Sequence, residues 1–150
     1  MQNNITLRFA EISDVEPILS LMIQLGYPQD LNNFKRRFQL FTQEKNNKVV
    51  VAETKGKIIG WVAWSKNILF VSEATRIHIE GLVVDQDHRG KKVGKSLMLY
   101  VEDFAQQFNP CIIDLTSGLR REKDGSHDFY KSLGYQNEGD MAKLYLRKYV

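Results

Sequence analysis

The chain has 150 residues, of which 43% are hydrophobic and 26% charged, and its formal net charge is +3. That size and balance suit one domain, spanning 1–150, that buries about 70% of the surface its unfolded chain exposes, and they exclude a disordered chain. The charge is too small to argue for nucleic acid, no run approaches the ~18 apolar residues of a membrane span, and the lone Cys111 excludes an internal disulfide.

In chain order, Ile5–Ala10 alternates as a short strand. Ser13 and Asp14 offer cap oxygens ahead of Pro17, and Ile18, Leu19, Met22, Ile23 and Leu25 follow at helical spacing until Gly26–Pro28 stops them. Asp30 or Asn32 starts a second helix with the stripe Leu31, Phe34, Phe38 and Phe41. The runs Lys48–Thr54 and Lys57–Ser65 read as strands of a hairpin turning at Lys55-Gly56. Arg76–Val84 is a further strand, Lys91–Phe108 a long helix, Cys111–Thr116 a short buried strand and Ser126–Leu133 a helix with Gly134 as its C′ residue. Met141–Val150 alternates as a closing strand, with one more short strand open near Tyr135. Hairpins come first and a β-α-β unit later, which predicts an α/β (α+β) fold: a mixed, mostly antiparallel sheet with helices on both faces.

Two stretches carry chemistry. In Arg76–Val84 the apolar positions Ile77 and Ile79 share one strand face, and after Gly81 the alternation restarts on Leu82 and Val84, of opposite parity. A phase flip around a glycine predicts a β-bulge. In Asp87–Leu99, "DHRGKKVGKSLML", Gly90, Gly94, Lys95 and Ser96 approach a P-loop but have three residues between the glycines, not the four that pattern requires. The stretch lies between a strand and a helix. A helix N-terminus offers unsatisfied N–H groups and partial positive charge, and Arg89, Lys91, Lys92 and Lys95 add cations, so a diphosphate is a suitable guest. Taken alone, the same residues also describe a basic, solvent-facing first turn.

The stretch "LVVDQDHRGKKVGKSLM" resembles the acetyl-CoA-binding motif [Q/R]-x-x-G-x-[G/A] of the GNAT N-acetyltransferase superfamily, with Arg89 first, Gly94 last and Lys92 at the middle glycine position. A lysine suits that position if its φ is negative. "LRFAEISDVEPILSLMIQLGYP", "VVVAETKGKIIGWVAW" and "HDFYKSLGY" resemble the opening strand and helix, the central hairpin and the late Phe-Tyr motif of the same superfamily, in order. The resemblance implies a GNAT-like fold with a bulged strand and a splayed parallel pair, and acetyl-CoA as cosubstrate without a metal. The pantetheine arm would pair with backbone at Leu82, Val83 and Val84, and the diphosphate would lie on Arg89, Gly90, Lys91, Lys92, Val93, Gly94, Lys95 and Ser96, with Lys123 near the coenzyme.

The implied reaction is acetyl transfer to a primary amine of a small molecule, by direct attack through a tetrahedral intermediate. It needs a neutral amine, a donor to the oxyanion and a proton for the thiolate. Glu80 is the candidate general base, acting through water; otherwise it is a strand carboxylate facing solvent or Arg76. Tyr130 is the candidate acid for the thiolate; otherwise it packs with Phe129 and Leu133. The N–H of Val84 is the candidate oxyanion donor. The rival readings are a protein or peptide N-acetyltransferase, a non-catalytic acyl-CoA-binding module and a P-loop nucleotide binder. The expected setting is cytoplasmic, with no nucleic acid or membrane partner, and the last strand is an edge suited to a homodimer.

Overall fold

The computed structural model describes residues 4–117 and 125–150. Lys123 lies outside them. The chain forms two compact units, Met1–Ile113 and Asp114–Val150.

The first unit contains β1 (Thr6–Phe9), a 3₁₀ turn (Ile12–Asp14), α1 (Val15–Gln24), α2 (Leu31–Gln43), β2 (Asn47–Thr54), β3 (Lys57–Ile68), β4 (Thr75–Val84) and α3 (Val93–Ala105), and β5 (Cys111–Leu115) begins in it. The sheet order is β1-β2-β3-β4-β5. The first four strands are antiparallel neighbours. The Thr75 N–H at the start of β4 donates to the Pro110 carbonyl just before β5, at 3.0 Å. These two strands therefore start side by side and form the parallel pair, with α3 as their crossover.

The predicted hairpin closes through Lys55 and Gly56, both at positive φ (50° and 75°), the pairing a type I′ turn requires. Asp30 caps α2 by accepting from the Asn33 N–H at 2.9 Å. α1 buries Val15, Ile18, Leu19 and Leu21, and α2 buries Phe34 and Phe38, against one sheet face that carries Val51, Trp61 and Val83. α3 lies on the other face, where Trp64 meets Phe104 at 5.2 Å and Tyr100 at 6.3 Å between ring centroids. Trp61 and Trp64 thus fill opposite cores. Cys111 is half-buried, and burial pushes its thiol up, consistent with an inert thiol.

The bulge falls at Glu80. Ala63 faces Gly81, but Trp64 faces Ile79, so Glu80 is the extra residue. Its effect on the faces is direct. Ile79 sits opposite Trp64 on the α3 side, whereas Val83, four residues on, sits opposite Trp61 on the α1/α2 side. Gly81 is required by a close approach: a Cβ there would lie 2.9 Å from the Trp61 ring.

Arg8 anchors β1 to the turn before α1. Its guanidinium forks onto both Asp14 carboxylate oxygens at 2.8 and 3.0 Å and also reaches Glu53 at 3.1 Å. Asp14 is buried and accepts the Glu11 N–H at 2.7 Å. The Arg8 hydrogen bond holds its carboxyl below the usual range, against the opposing effect of burial. A carboxyl depressed in the fold stabilises above its unfolded value. That stability is lost as pH falls below the ordinary ~3.9 and through the lowered folded value. Asp14→Ala is expected to cost about 3 kcal/mol in urea unfolding at pH 7, the low end for a buried pair because Arg8 is part-exposed, and to flatten the acid limb of stability against pH. An unchanged acid limb would mean the pair contributes nothing.

In the second unit, α4 (Ser126–Ser132) ends as predicted at Gly134, φ 93°. The Tyr135 N–H bonds to Tyr130 O and the Gly134 N–H to Lys131 O, a Schellman pair. The closing strand is not formed. Gly139–Met141 is a 3₁₀ turn, and 142–150 has no regular structure and leaves Leu144 and Leu146 exposed. The short strand near Tyr135 is likewise absent among the described residues. Alternation marks which side chains could share a face, but a strand also needs a hydrogen-bonding neighbour.

Candidate active site

The candidate site grows from the second half of β4. The Asp85 N–H donates to Ile59 O on β3 at 2.8 Å. Peptide groups alternate sides along a strand, so Asp85 and Val83 turn theirs to β3, while Leu82 and Val84 turn theirs to the β5 side. Val83 also buries its side chain in the α1/α2 core, so of the three candidates only Leu82 and Val84 present backbone to a partner on that side. The Val84 carbonyl accepts from Arg89 Nε at 3.4 Å, which folds Arg89 back over the strand end.

Glu80 is exposed, and its Oε1 accepts from the Ser65 hydroxyl at 2.9 Å on the neighbouring strand. Arg76, the alternative partner weighed above, instead reaches His78 Nδ1 at 3.1 Å.

After β4 come a 3₁₀ turn (Gln86–His88), the exposed residues Arg89, Gly90, Lys91 and Lys92, and α3. The first intrahelical bond is Ser96 N–H to Lys92 O at 3.0 Å. The amides of Val93, Gly94 and Lys95 precede it, so the helix supplies them no acceptor. They and the surrounding cations are the groups an anion would meet. The Val93 side chain is buried, leaving only its backbone for such a role. The Ser96 hydroxyl also donates to Lys92 O, at 2.9 Å, so neither donor of Ser96 is spare. A groove of about 870 Å³ runs past this turn, lined by Thr6, Thr54, His88, Lys92 and Ser96 among others.

Lys92 corrects one expectation. Its φ is +66°, not negative: the chain enters α3 through a left-handed residue, the conformation for which glycine is the usual choice. Lysine keeps the same backbone path at the cost of strain.

Glu80, Leu82, Val83, Val84 and the turn from Arg89 to Ser96 all lie in the first unit. Tyr130 lies in the second, half-buried on α4, with its ring edge-on to Phe129 at 5.1 Å and to Tyr135 at 6.2 Å. Sequence reasoning missed Gln24 and Asp85, which tie the end of α1 to the turn. The signal available was an acidic residue directly after a buried strand. Among the described residues, no His/Cys/Asp/Glu group could hold a metal ion, and no helix is long and apolar enough to cross a membrane.

A bulged strand thus leads into a helix start with spare amides, within a mixed sheet covered on both faces. The chain belongs to the acetyltransferase (GNAT) family, whose model matches residues 17–135. An uncharacterised N-acetyltransferase of Methanocaldococcus jannaschii is 27% identical over 149 residues, covering 95% of this chain; the chain spans 65% of that relative's length. Aminoalkylphosphonate N-acetyltransferase of Salmonella typhimurium is 24% identical over 87% of this chain and 84% of its own. Glucosamine-6-phosphate N-acetyltransferase of Arabidopsis thaliana superposes with a TM-score of 0.77 at 25% identity, over 97% of this chain and 98% of that one. Family enzymes use acetyl-CoA as cosubstrate.

Proposed function

We propose that the 150 residues act as a single N-acetyltransferase domain that moves the acetyl group of acetyl-CoA to a primary amine of a small molecule. The observation that carries the reading is the continuity from the bulge at Glu80, through the outward-turned peptides of Leu82 and Val84, to the amides of Val93–Lys95 with Arg89, Lys91, Lys92 and Lys95 around them. Those groups suit a coenzyme that offers amides along its arm and a diphosphate at its end.

In this reading the amine, made neutral by Glu80 through water, attacks the thioester carbon. The Val84 N–H donates to the carbonyl oxygen as charge develops there. The C–S bond then breaks and the thiolate takes a proton from Tyr130. The Tyr130 assignment rests on its motif in the sequence. Two relatives are named for amines that also carry a phosphoryl or phosphonate group, and α2 exposes Lys35, Arg36 and Arg37 within residues 25–38, a segment we propose helps to shape the acceptor pocket.

Two measurements test the reading. Acetyl-CoA is expected to raise the melting temperature and Mg-ATP to leave it unchanged; stabilisation by Mg-ATP alone would overturn it in favour of a nucleotide binder. CoA-thiol release is then measured with an aminoalkylphosphonate, glucosamine 6-phosphate, a polyamine and a lysine peptide. Turnover with the peptide alone would make the protein a peptide acetyltransferase, and acetyl-CoA binding without turnover on any amine would favour a binding module.

Lys92→Gly restores the residue that suits a φ of +66°. Relief of left-handed strain, set against the extra freedom of glycine in the unfolded chain, is expected to stabilise the fold by at most about 1 kcal/mol. Acetyl-CoA affinity is expected to stay within a few-fold, because the proposed contact is made by backbone. A large loss of affinity together with a weaker salt dependence in calorimetry would show that the Lys92 ammonium makes the contact.

A further inference from the structure

We propose that Gln24 and Asp85 are positioning residues for the coenzyme's diphosphate turn, acting through Gln86, His88 and Arg89 without touching the ligand; this rests on the coenzyme reading above. Asp85 follows β4 directly and is only 3% exposed. Its Oδ1 accepts from Gln24 Nε2 at 3.0 Å, and its Oδ2 lies 2.9 Å from His88 Nδ1 and 3.9 Å from Lys57 Nζ. A carboxylate only accepts, so His88 Nδ1 carries the proton in this bond. The backbone joins in: the His88 N–H donates to Asp85 O at 2.9 Å. Gln24, the last residue of α1, uses its other amide atom as well, since its Oε1 accepts the Gln86 N–H at 3.1 Å.

One buried carboxylate therefore gathers α1, the start of β3 and the turn. Burial alone would push its carboxyl up, but the hydrogen bonds from Gln24 and His88, with the charges of Lys57 and His88, outweigh this and hold it below the ordinary value. The position of the knot gives it a role beyond cohesion. It fixes residues 85–88, and four exposed residues later the chain enters α3 through a strained left-handed Lys92. The aim of Arg89 and of the α3 amides depends on where that short path starts. A binding constellation needs a locked supporting shell, and here the shell is Gln24–Asp85–His88.

The test compares two ligands in the full chain. Acetyl-CoA carries the diphosphate, whereas S-acetylpantetheine has the same thioester and arm without it. Gln24 is exposed, so Gln24→Ala is expected to keep the fold, checked by its melting curve. It is expected to weaken acetyl-CoA binding about 10-fold by calorimetry, the scale of the two hydrogen bonds lost at Gln24 when they are felt only in part at the ligand, and to leave acetylpantetheine binding, read by competition, within two-fold. Asp85→Ala is expected to lose more, and Asp85→Asn, which keeps an acceptor for Gln24 and can donate to His88 once that imidazole carries its proton on Nε2, less. Equal losses for both ligands, or unchanged acetyl-CoA affinity in folded Gln24→Ala, would overturn the positioning role. A wild-type chain that does not bind acetyl-CoA would overturn the coenzyme reading and this proposal with it, and that result is distinct from wild-type binding with an unaffected variant.

Discussion

Tyr130→Phe is expected to lower turnover by about 10²–10⁴-fold, the range for a general acid or base, while acetyl-CoA affinity changes little. The substitution keeps the ring, so the edge contacts to Phe129 and Tyr135 survive, and the Schellman bonds that end α4 use backbone only. What is lost is the hydroxyl, whose proposed partner, the thiolate, exists only as the C–S bond breaks. An interaction made in the transition state and not in the ground state appears in kcat and not in binding. A fall of less than tenfold would mean that water protonates the thiolate. Unchanged turnover with a lower melting temperature would make Tyr130 a packing residue.

Gly94→Glu is expected to weaken acetyl-CoA binding more than 100-fold and to leave the fold intact. Gly94 is the second residue of α3 and is half-buried at the turn. A carboxylate in the first turn of a helix favours the helix by roughly 0.3–1 kcal/mol, so the same charge that repels a diphosphate does not unfold the protein. Calorimetry on the folded variant decides. Unchanged affinity would place the diphosphate elsewhere and remove the phosphate-turn assignment.

The bulge was readable because apolar residues changed parity at a glycine, Ile79 against Leu82, and nothing but an extra residue lets both halves of β4 face a core. The I′ hairpin was readable from Lys55-Gly56 for a similar reason: a short connection at positive φ tolerates few residue types. The closing strand was not readable, because Met141–Val150 has the right alternation and pairing depends on a neighbour the segment cannot specify. Within the candidate site, the sequence supplied the cations and glycines of the turn. It did not supply the left-handed φ of Lys92, since lysine there reads as an ordinary basic residue, nor the clamp between Gln24 and Asp85, since two residues 61 positions apart share no local pattern. Side-chain periodicity encodes which face a residue takes. It says little about which backbone groups are left to meet a ligand, and that came from the Asp85 to Ile59 hydrogen bond.

The extra residue at Glu80 also limits how this strand can vary over evolutionary time. Removing any single residue between Ile79 and Val83 would restore an even ladder and swing the Leu82–Val84 segment by half a turn, setting Val83 against α3 and Leu82 and Val84 against the α1/α2 core. The Glu80 side chain is exposed and accepts from the Ser65 hydroxyl at 2.9 Å, so the fold, as distinct from the proposed chemistry, demands little of its identity, but strand length is fixed. Single insertions and deletions here are expected to be lethal to the fold, even though Glu80→Ala is expected to leave the fold intact.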